Sequence, residues 1–187
     1  MQVDLSKFPV ARFDRGASRL KEFFWVVVRC LFFMTPWPLP NAWRVTWLRV
    51  FGAKVGRGVV IRSQVNIHFP WRLSLGDHVW LGEECWLLNL ERITIGNNVC
   101  ISQRAFLCTG SHNHKLPTFD LITKPITVGD GAWLGAACWV GPGVKVGSHA
   151  VLTAGSIATK DLEPFGIYQG NPAVFLKQRV ISSESRK

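Results

Sequence analysis

From residue 53 onward the chain sets a large aliphatic residue at every sixth position. Val55, Ile61, Ile67 and Leu73 form one run, and Leu75, Leu81, Leu87 and Ile93 the next. Ile95, Ile101 and Leu107 follow, and Val128, Leu134, Val140, Val146 and Leu152 close the series. A glycine commonly comes directly after, as at Gly56, Gly76, Gly82, Gly96, Gly129, Gly135, Gly141 and Gly147. The fifth residue of each six is usually small or β-branched, for example Val59, Val79, Cys85, Ala105, Cys138 and Ala150. This period is neither that of an amphipathic helix nor that of a half-buried strand. It predicts an all-β fold, a parallel β-helix of short flat strands and sharp turns. Three sixes make one triangular coil, with aliphatic side chains stacked inside, glycine relieving the corners, and neighbouring coils hydrogen-bonded at ~4.8 Å.

One tetrapeptide marks the same corner of successive coils: AKVG (53–56), LSLG (73–76), ITIG (93–96), ITVG (126–129) and VKVG (144–147). These landmarks lie 20, 20, 33 and 18 residues apart. A coil of three sixes takes 18, so the first two intervals carry a small bulge. The third holds thirteen residues more than the interval before it, and these must project because the stacked wall has no room for them. The predicted plan is an arm with short helices at 1–52, a β-helix at 53–163 with an inserted loop at 109–125, and a tail at 164–187.

Ahead of the repeat, residues 1–17 read as an irregular arm. Ser18 predicts the cap of a helix running to about Met34, closed by Pro36, Pro38 and Pro40. Within it Phe23–Met34 is apolar except for Arg29. Twelve residues of helix cover only ~18 Å against a hydrocarbon core of ~30 Å, so the segment does not span a membrane. Two readings stay open. It lies in an anionic membrane interface, with Arg29 snorkelling beside Trp25 and Trp37, or it packs on the protein's own body or a neighbouring subunit. A second helix is predicted from Asn41 to Phe51, with Asn41 as cap and Gly52 as stop.

Composition adds three constraints. With 48% apolar residues and nine Trp the chain can build a substantial core. Its net charge of +10 is concentrated early: residues 1–62 hold eleven Lys/Arg against three Asp/Glu, the remainder eleven against nine. That suits an anionic membrane surface or a phosphorylated ligand, or is simply a solvated basic face. Nucleic acid is disfavoured, because the excess lies outside the repeat and no reader motif appears. The five cysteines show no CxxC spacing, and Cys85 and Cys138 occupy small inward positions. This argues for a reducing compartment and against a disulfide framework. MQVDLSKF lacks a signal-peptide layout, so a cytoplasmic location is expected, with peripheral contact at the inner membrane face.

The inserted loop carries His112, His114, Pro117 and Asp120. Projecting loops on rigid scaffolds are frequent carriers of function. A neutral imidazole can take a proton from a hydroxyl at cellular pH. Ser111, Asn113 and the turn's backbone amides are candidates to orient it or to hold an oxyanion. On these residues alone, an inert surface turn is the commoner reading.

The hexad array, the loop TGSHNHKLPTFDLITKPITVGDGAWLG and the closing GPGVKVGSHAVLTAGSIATKDLEPFGIYQGNPAV resemble the hexapeptide-repeat O-acetyltransferases. That family includes galactoside and maltose acetyltransferases and the nodulation-factor enzymes. FGAKVGRGVVIRSQVNI and FPWRLSLGDHVWLGEECW are similar to its colanic-acid and exopolysaccharide biosynthesis branch, and the likeness covers roughly residues 44–181. The resemblance implies a left-handed β-helix assembled as a homotrimer, with each site in the cleft between two prisms. It implies transfer of acetyl from acetyl-CoA to a sugar hydroxyl, on a free sugar or a lipid-linked oligosaccharide. His112 would be the general base, with direct attack on the thioester and no acyl-enzyme. Asn113 stands where the family often has Asp, which leaves the orienting partner of His112 open. His114 reads as an acceptor contact or a surface histidine, and Asn89 as an acceptor-side residue or a structural turn. Backbone groups of Ala136 and Ala154 would meet the pantetheine arm, with Thr159 and Lys160 near the adenosine end and Lys177 at a CoA phosphate. His112 and Lys160 of one site would belong to different chains. No metal is implied.

Two rival readings keep the scaffold and change the chemistry. A γ-type carbonic-anhydrase-like protein would bind zinc through three histidines of two subunits. The close pair His112 and His114 has one residue between, not the four of that family, and none of His68, His78 or His149 supplies a matching third ligand. A non-catalytic assembly platform would use the coil without His112.

Overall fold

The computed structural model of the chain describes residues 2–9 and 13–182; the arm at 10–12 and the tail at 183–187 lie outside them. Three parallel sheets wrap into a three-sided prism, a left-handed parallel β-helix. The first face is built from Lys54–Val55, Leu73–Leu75, Ile93–Ile95, Ile126–Val128 and Lys145–Val146. The second is built from Val60–Ile61, Trp80–Leu81, Cys100–Ile101, Trp133–Leu134, Val151–Leu152 and Gly166–Gln169. Asn66–Ile67, Trp86–Leu88, Phe106–Cys108, Trp139–Val140 and Ile157–Ala158 form the third. The prism therefore reaches beyond the expected boundary at 163. Gly166–Gln169 pairs in parallel with Val151–Leu152, and Val174–Gln178 folds back antiparallel on it.

The six-residue beat becomes vertical stacking. Leu81, Ile101, Leu134 and Leu152 are in register on the second face, all fully buried. Cys85 and Cys138 fill small inward positions, and burial pushes both thiols up to about 12. They act as small hydrophobes. At the corner between the first and second faces, each coil's side chain caps the coil before it. Asp77 Oδ1 accepts from Arg57 N at 2.8 Å, Asn97 Oδ1 from Asp77 N at 2.8 Å, and Asp130 Oδ1 from Asn97 N at 2.6 Å. A Cβ on Gly56 or Gly96 would collide with the Asp77 or Asp130 carboxylate, which explains glycine at those two landmarks.

The N-terminal helices seal one end of the prism. α1 (Arg19–Val28) starts where the Ser18 hydroxyl accepts from Lys21 N, and a π-helical turn, Arg29–Phe33, extends it to Met34. α2 (Asn41–Val50) ends at Gly52, whose φ of +97° closes the helix. Trp25, Phe33, Leu48 and Phe51 cover the first coil, and Trp25 Nε1 donates to Ile67 O at 3.0 Å.

Two expectations are corrected here. Asn41 is not the cap of α2, because Pro40 takes that position. Its amide turns to the prism instead, donating to Val59 O and accepting from Ile61 N, both at 2.8 Å. The first coil has no strand above it, and Asn41 supplies the missing donor and acceptor. Nor does Arg29 snorkel outward beside Trp25. Trp25 is buried, and Arg29 Nε lies in the interior without a hydrogen-bond partner among the described residues. Burial, aided by Arg29 and Arg15, holds the nearby His68 below the usual histidine range. The outward side of the helix is nevertheless apolar, with Leu20, Phe23, Phe24 and Leu31 exposed, and Trp37 in the proline segment beyond it is exposed as well.

Candidate active site

The thirteen extra residues form a β-hairpin that leaves the edge between the third and first faces. Gly110–His112 pairs antiparallel with Leu121–Thr123. Its base is pinned by buried Thr109. The Thr109 hydroxyl donates to Leu88 O at 2.8 Å and accepts from Glu91 N at 2.9 Å, and its carbonyl accepts from Lys124 N at 2.9 Å.

His112 stands half-buried at the end of the outgoing strand. Its Nδ1 lies 2.8 Å from the carbonyl oxygen of Phe119. A carbonyl only accepts, so Nδ1 carries the proton, and in the neutral ring Nε2 keeps a free lone pair. Phe119 stacks on the same imidazole, ring centroids 4.5 Å apart at 8°, and Phe8 approaches it at 5.7 Å. Asn113 does not orient the ring. Its Oδ1 accepts from Lys115 N at 3.1 Å, and its own N–H donates to Asp120 O at 2.8 Å.

The arm is part of this site. Asp4 N donates to Pro117 O at 2.9 Å, Trp71 Nε1 to Arg15 O at 2.8 Å, and Arg72 Nη2 to Asp14 O at 2.5 Å. The arm thus straps the hairpin to the prism. Two cavities flank the hairpin. One, about 520 Å³ and open, is lined by His112 with Ser111, His114, Ile122, Lys124 and Pro142. The other, about 330 Å³, lies between arm and prism against Phe8, Phe13, Asp14, Arg72, Glu91 and Asp120.

The remaining sequence candidates scatter. His114 is exposed in the His112 cleft. Asn89 is fully buried: its Oδ1 accepts from His68 N at 3.1 Å and Phe69 N at 2.8 Å, and its Nδ2 donates to Phe69 O at 2.5 Å. It closes a turn and has no surface to offer an acceptor, so the structural reading replaces the acceptor one. Ala136 and Ala154 sit on the edge between the second and third faces. Their amide N–H groups have no acceptor among the described residues. Thr159 and Lys160 are exposed on the hairpin's edge, and Lys177 is exposed on the antiparallel strand opposite Ile167. None of these five lines the His112 cleft. No group of three His, Cys, Asp or Glu able to hold a metal exists among the described residues.

No protein-family model matches the chain. It is 42% identical over 178 residues, 95% of this chain and 97% of the relative, to WcaF of Escherichia coli (strain K12), named for acetyl transfer in colanic acid biosynthesis. Galactoside acetyltransferase solved with coenzyme A shares the fold at a TM-score of 0.77, with 24% identity over 85% of this chain and 80% of that one. So does a hexapeptide-repeat acetyltransferase of Vibrio cholerae O1 biovar eltor, solved with acetyl-CoA, at 0.76 with 23% identity over 87% of each. The repeat prism and the 42% relative together define the class: the chain belongs to the hexapeptide-repeat acetyltransferases, in the branch of the colanic acid biosynthesis enzymes.

Proposed function

We propose that this protein transfers acetyl from acetyl-CoA to a sugar hydroxyl during polysaccharide or glycolipid assembly, with His112 as general base. The observation that carries the reading is the Nδ1 contact with the Phe119 carbonyl, which leaves Nε2 as the basic nitrogen of a ring that lines an open cleft. Nε2 takes the hydroxyl proton as the acceptor oxygen bonds to the thioester carbonyl carbon. The tetrahedral oxyanion collapses, the carbon–sulfur bond breaks, and the imidazolium returns the proton to the CoA thiolate. No acyl-enzyme forms. Unpaired amides of Ala136 and Ala154 suit the pantetheine carbonyls, and Lys160 and Lys177 suit CoA phosphates. Mass spectrometry of surface polysaccharide from cells with and without the protein is the test: acetyl groups vanish with the protein if the reading is right and persist if it is wrong.

Ala136 and Ala154 lie on a different edge of the prism from His112, so a complete site needs a second copy. The outward side chains indicate how copies meet. The first face presents Lys54, Ser74, Thr94, Thr127 and Lys145, a solvent face. The second presents Trp80, Cys100 and Trp133, and the third Trp86, Phe106, Trp139 and Ile157. Two apolar faces meeting around a three-fold axis support a homotrimer. Replacing exposed Trp80 and Trp133 together by Glu is expected to convert a species of three 21.0 kDa chains into monomers in sedimentation velocity, with loss of transfer activity. A doubly substituted protein that stays trimeric sinks this assignment.

No helix among the described residues is long and apolar enough to cross a membrane. The outward stripe of Leu20, Phe23, Phe24, Leu31 and Trp37, with the basic N-terminal third, supports peripheral docking on the cytoplasmic membrane face, where lipid-linked acceptors would lie. Flotation with anionic liposomes at low salt is expected to carry the protein upward, and Phe23→Ser with Leu31→Ser to abolish it. Wild type left wholly in the soluble fraction overturns the docking.

A further inference from the structure

A single residue holds His112 in two ways. Phe119 accepts from Nδ1 through its main-chain carbonyl, and its ring lies parallel to the imidazole it fixes. To do both it adopts a φ of +52°, a region bulky L side chains avoid. Other non-glycine residues with positive φ, such as Gln64, Asn98 and Arg104, stand at coil corners where the repeat imposes that turn. Phe119 lies off the repeat, inside the hairpin. Its conformation is held locally: Phe119 N donates to Leu116 O at 3.0 Å, Asn113 N to Asp120 O at 2.8 Å, and the Thr118 hydroxyl to the Asp120 carboxylate at 2.5 Å. Strained backbone of this kind persists where surrounding contacts over-determine it, and it concentrates at functional sites.

We propose that Phe119 is the positioning residue of the site. Its left-handed backbone aims the carbonyl at Nδ1 and so decides which ring nitrogen carries the proton, while its ring fixes the plane of the imidazole. A neutral carbonyl thereby does the orienting that a neighbouring carboxylate does for many histidine bases, and the side chain of Asn113 is turned away to Lys115. Phe8, on the arm, limits tilt from another direction. The inference rests on His112 acting as the base.

The test separates backbone from ring. Phe119→Gly accepts positive φ without strain and keeps the carbonyl in place, whereas Phe119→Val, β-branched, resists it. Two-bond ¹H–¹⁵N spectra of histidine-labelled protein read the tautomer, and steady-state kinetics read kcat and KM for acetyl-CoA. Phe119→Gly is expected to keep the Nδ1–H tautomer, with kcat down by less than about tenfold. Phe119→Val is expected to show mixed tautomers and to lose about 10- to 100-fold in kcat, the usual cost of misplacing a catalytic group, with KM for acetyl-CoA unchanged. A folded Phe119→Val protein with the wild-type tautomer and kcat overturns the proposal, as does a Phe119→Gly protein that loses the tautomer. If His112→Ala were fully active while the tautomer still followed residue 119, the general-base reading alone would fail.

Discussion

Replacing His112 by alanine is expected to lower the rate of acetyl transfer about 10²- to 10⁴-fold, the range a positioned general base contributes. KM for acetyl-CoA should stay near wild type, because none of the candidate acyl-donor positions lines the His112 cleft. The hairpin itself should survive. Its base is held by Thr109, its strands by their own ladder, and its tip by the Asn113 bond to Asp120. An unchanged melting temperature with a collapsed kcat is therefore the expected pair of results, read by calorimetry and by thiol release from acetyl-CoA. A variant as active as wild type would turn the reading toward a scaffold without chemistry at this residue.

The prism was legible in the sequence because stacking repeats one instruction. Each aliphatic at the sixth position meets the same neighbour in the coils on either side, as Leu81 meets Ile101 and Ile101 meets Leu134. The hairpin was legible by counting, since residues that cannot stack must project. What the pattern could not carry was the direction of carbonyls and the use of amides. Asn41 looks like a helix cap in the sequence, and Asn89 like an acceptor contact or a structural turn. Both supply hydrogen bonds to backbone about twenty residues away. The partner of His112 was hidden for the same reason: a main-chain oxygen belongs to every residue, and only the fold selects that of Phe119. The arm carries no repeat in its sequence, yet its Phe8 reaches the imidazole.

Arg44→Leu is expected to be among the most damaging substitutions outside the hairpin, lowering stability by ~3–5 kcal/mol. Arg44 is buried, and among the described residues its guanidinium hydrogen-bonds to carbonyls alone. Nε donates to Phe32 O at 2.8 Å, Nη1 to Leu39 O at 3.2 Å and Ile61 O at 3.4 Å, and Nη2 to Trp37 O at 3.4 Å. Burial holds its pKa below the ordinary arginine value, yet such a group stays charged at any physiological pH. Leucine has the volume but no donor, so four carbonyls from three chain segments would lose their partner in a place water barely reaches. At ~2–4 °C per kcal/mol for a chain of this size, calorimetry should show the melting temperature falling by about 10 °C. Arg44→Lys should recover only part of the loss, because an ammonium has three donors on a point rather than a fork. The failure should begin at the capped end. Arg44 joins the π-helical turn, the proline segment and the first coil, and releasing them uncovers the open edge of the first coil and the buried Trp25. An unpaired sheet edge beside newly exposed apolar surface favours aggregation, so tryptophan fluorescence should shift before the rest of the prism unfolds. An Arg44→Leu protein that melts within a degree of wild type would show that the carbonyls find water and that the guanidinium is not what fastens the cap.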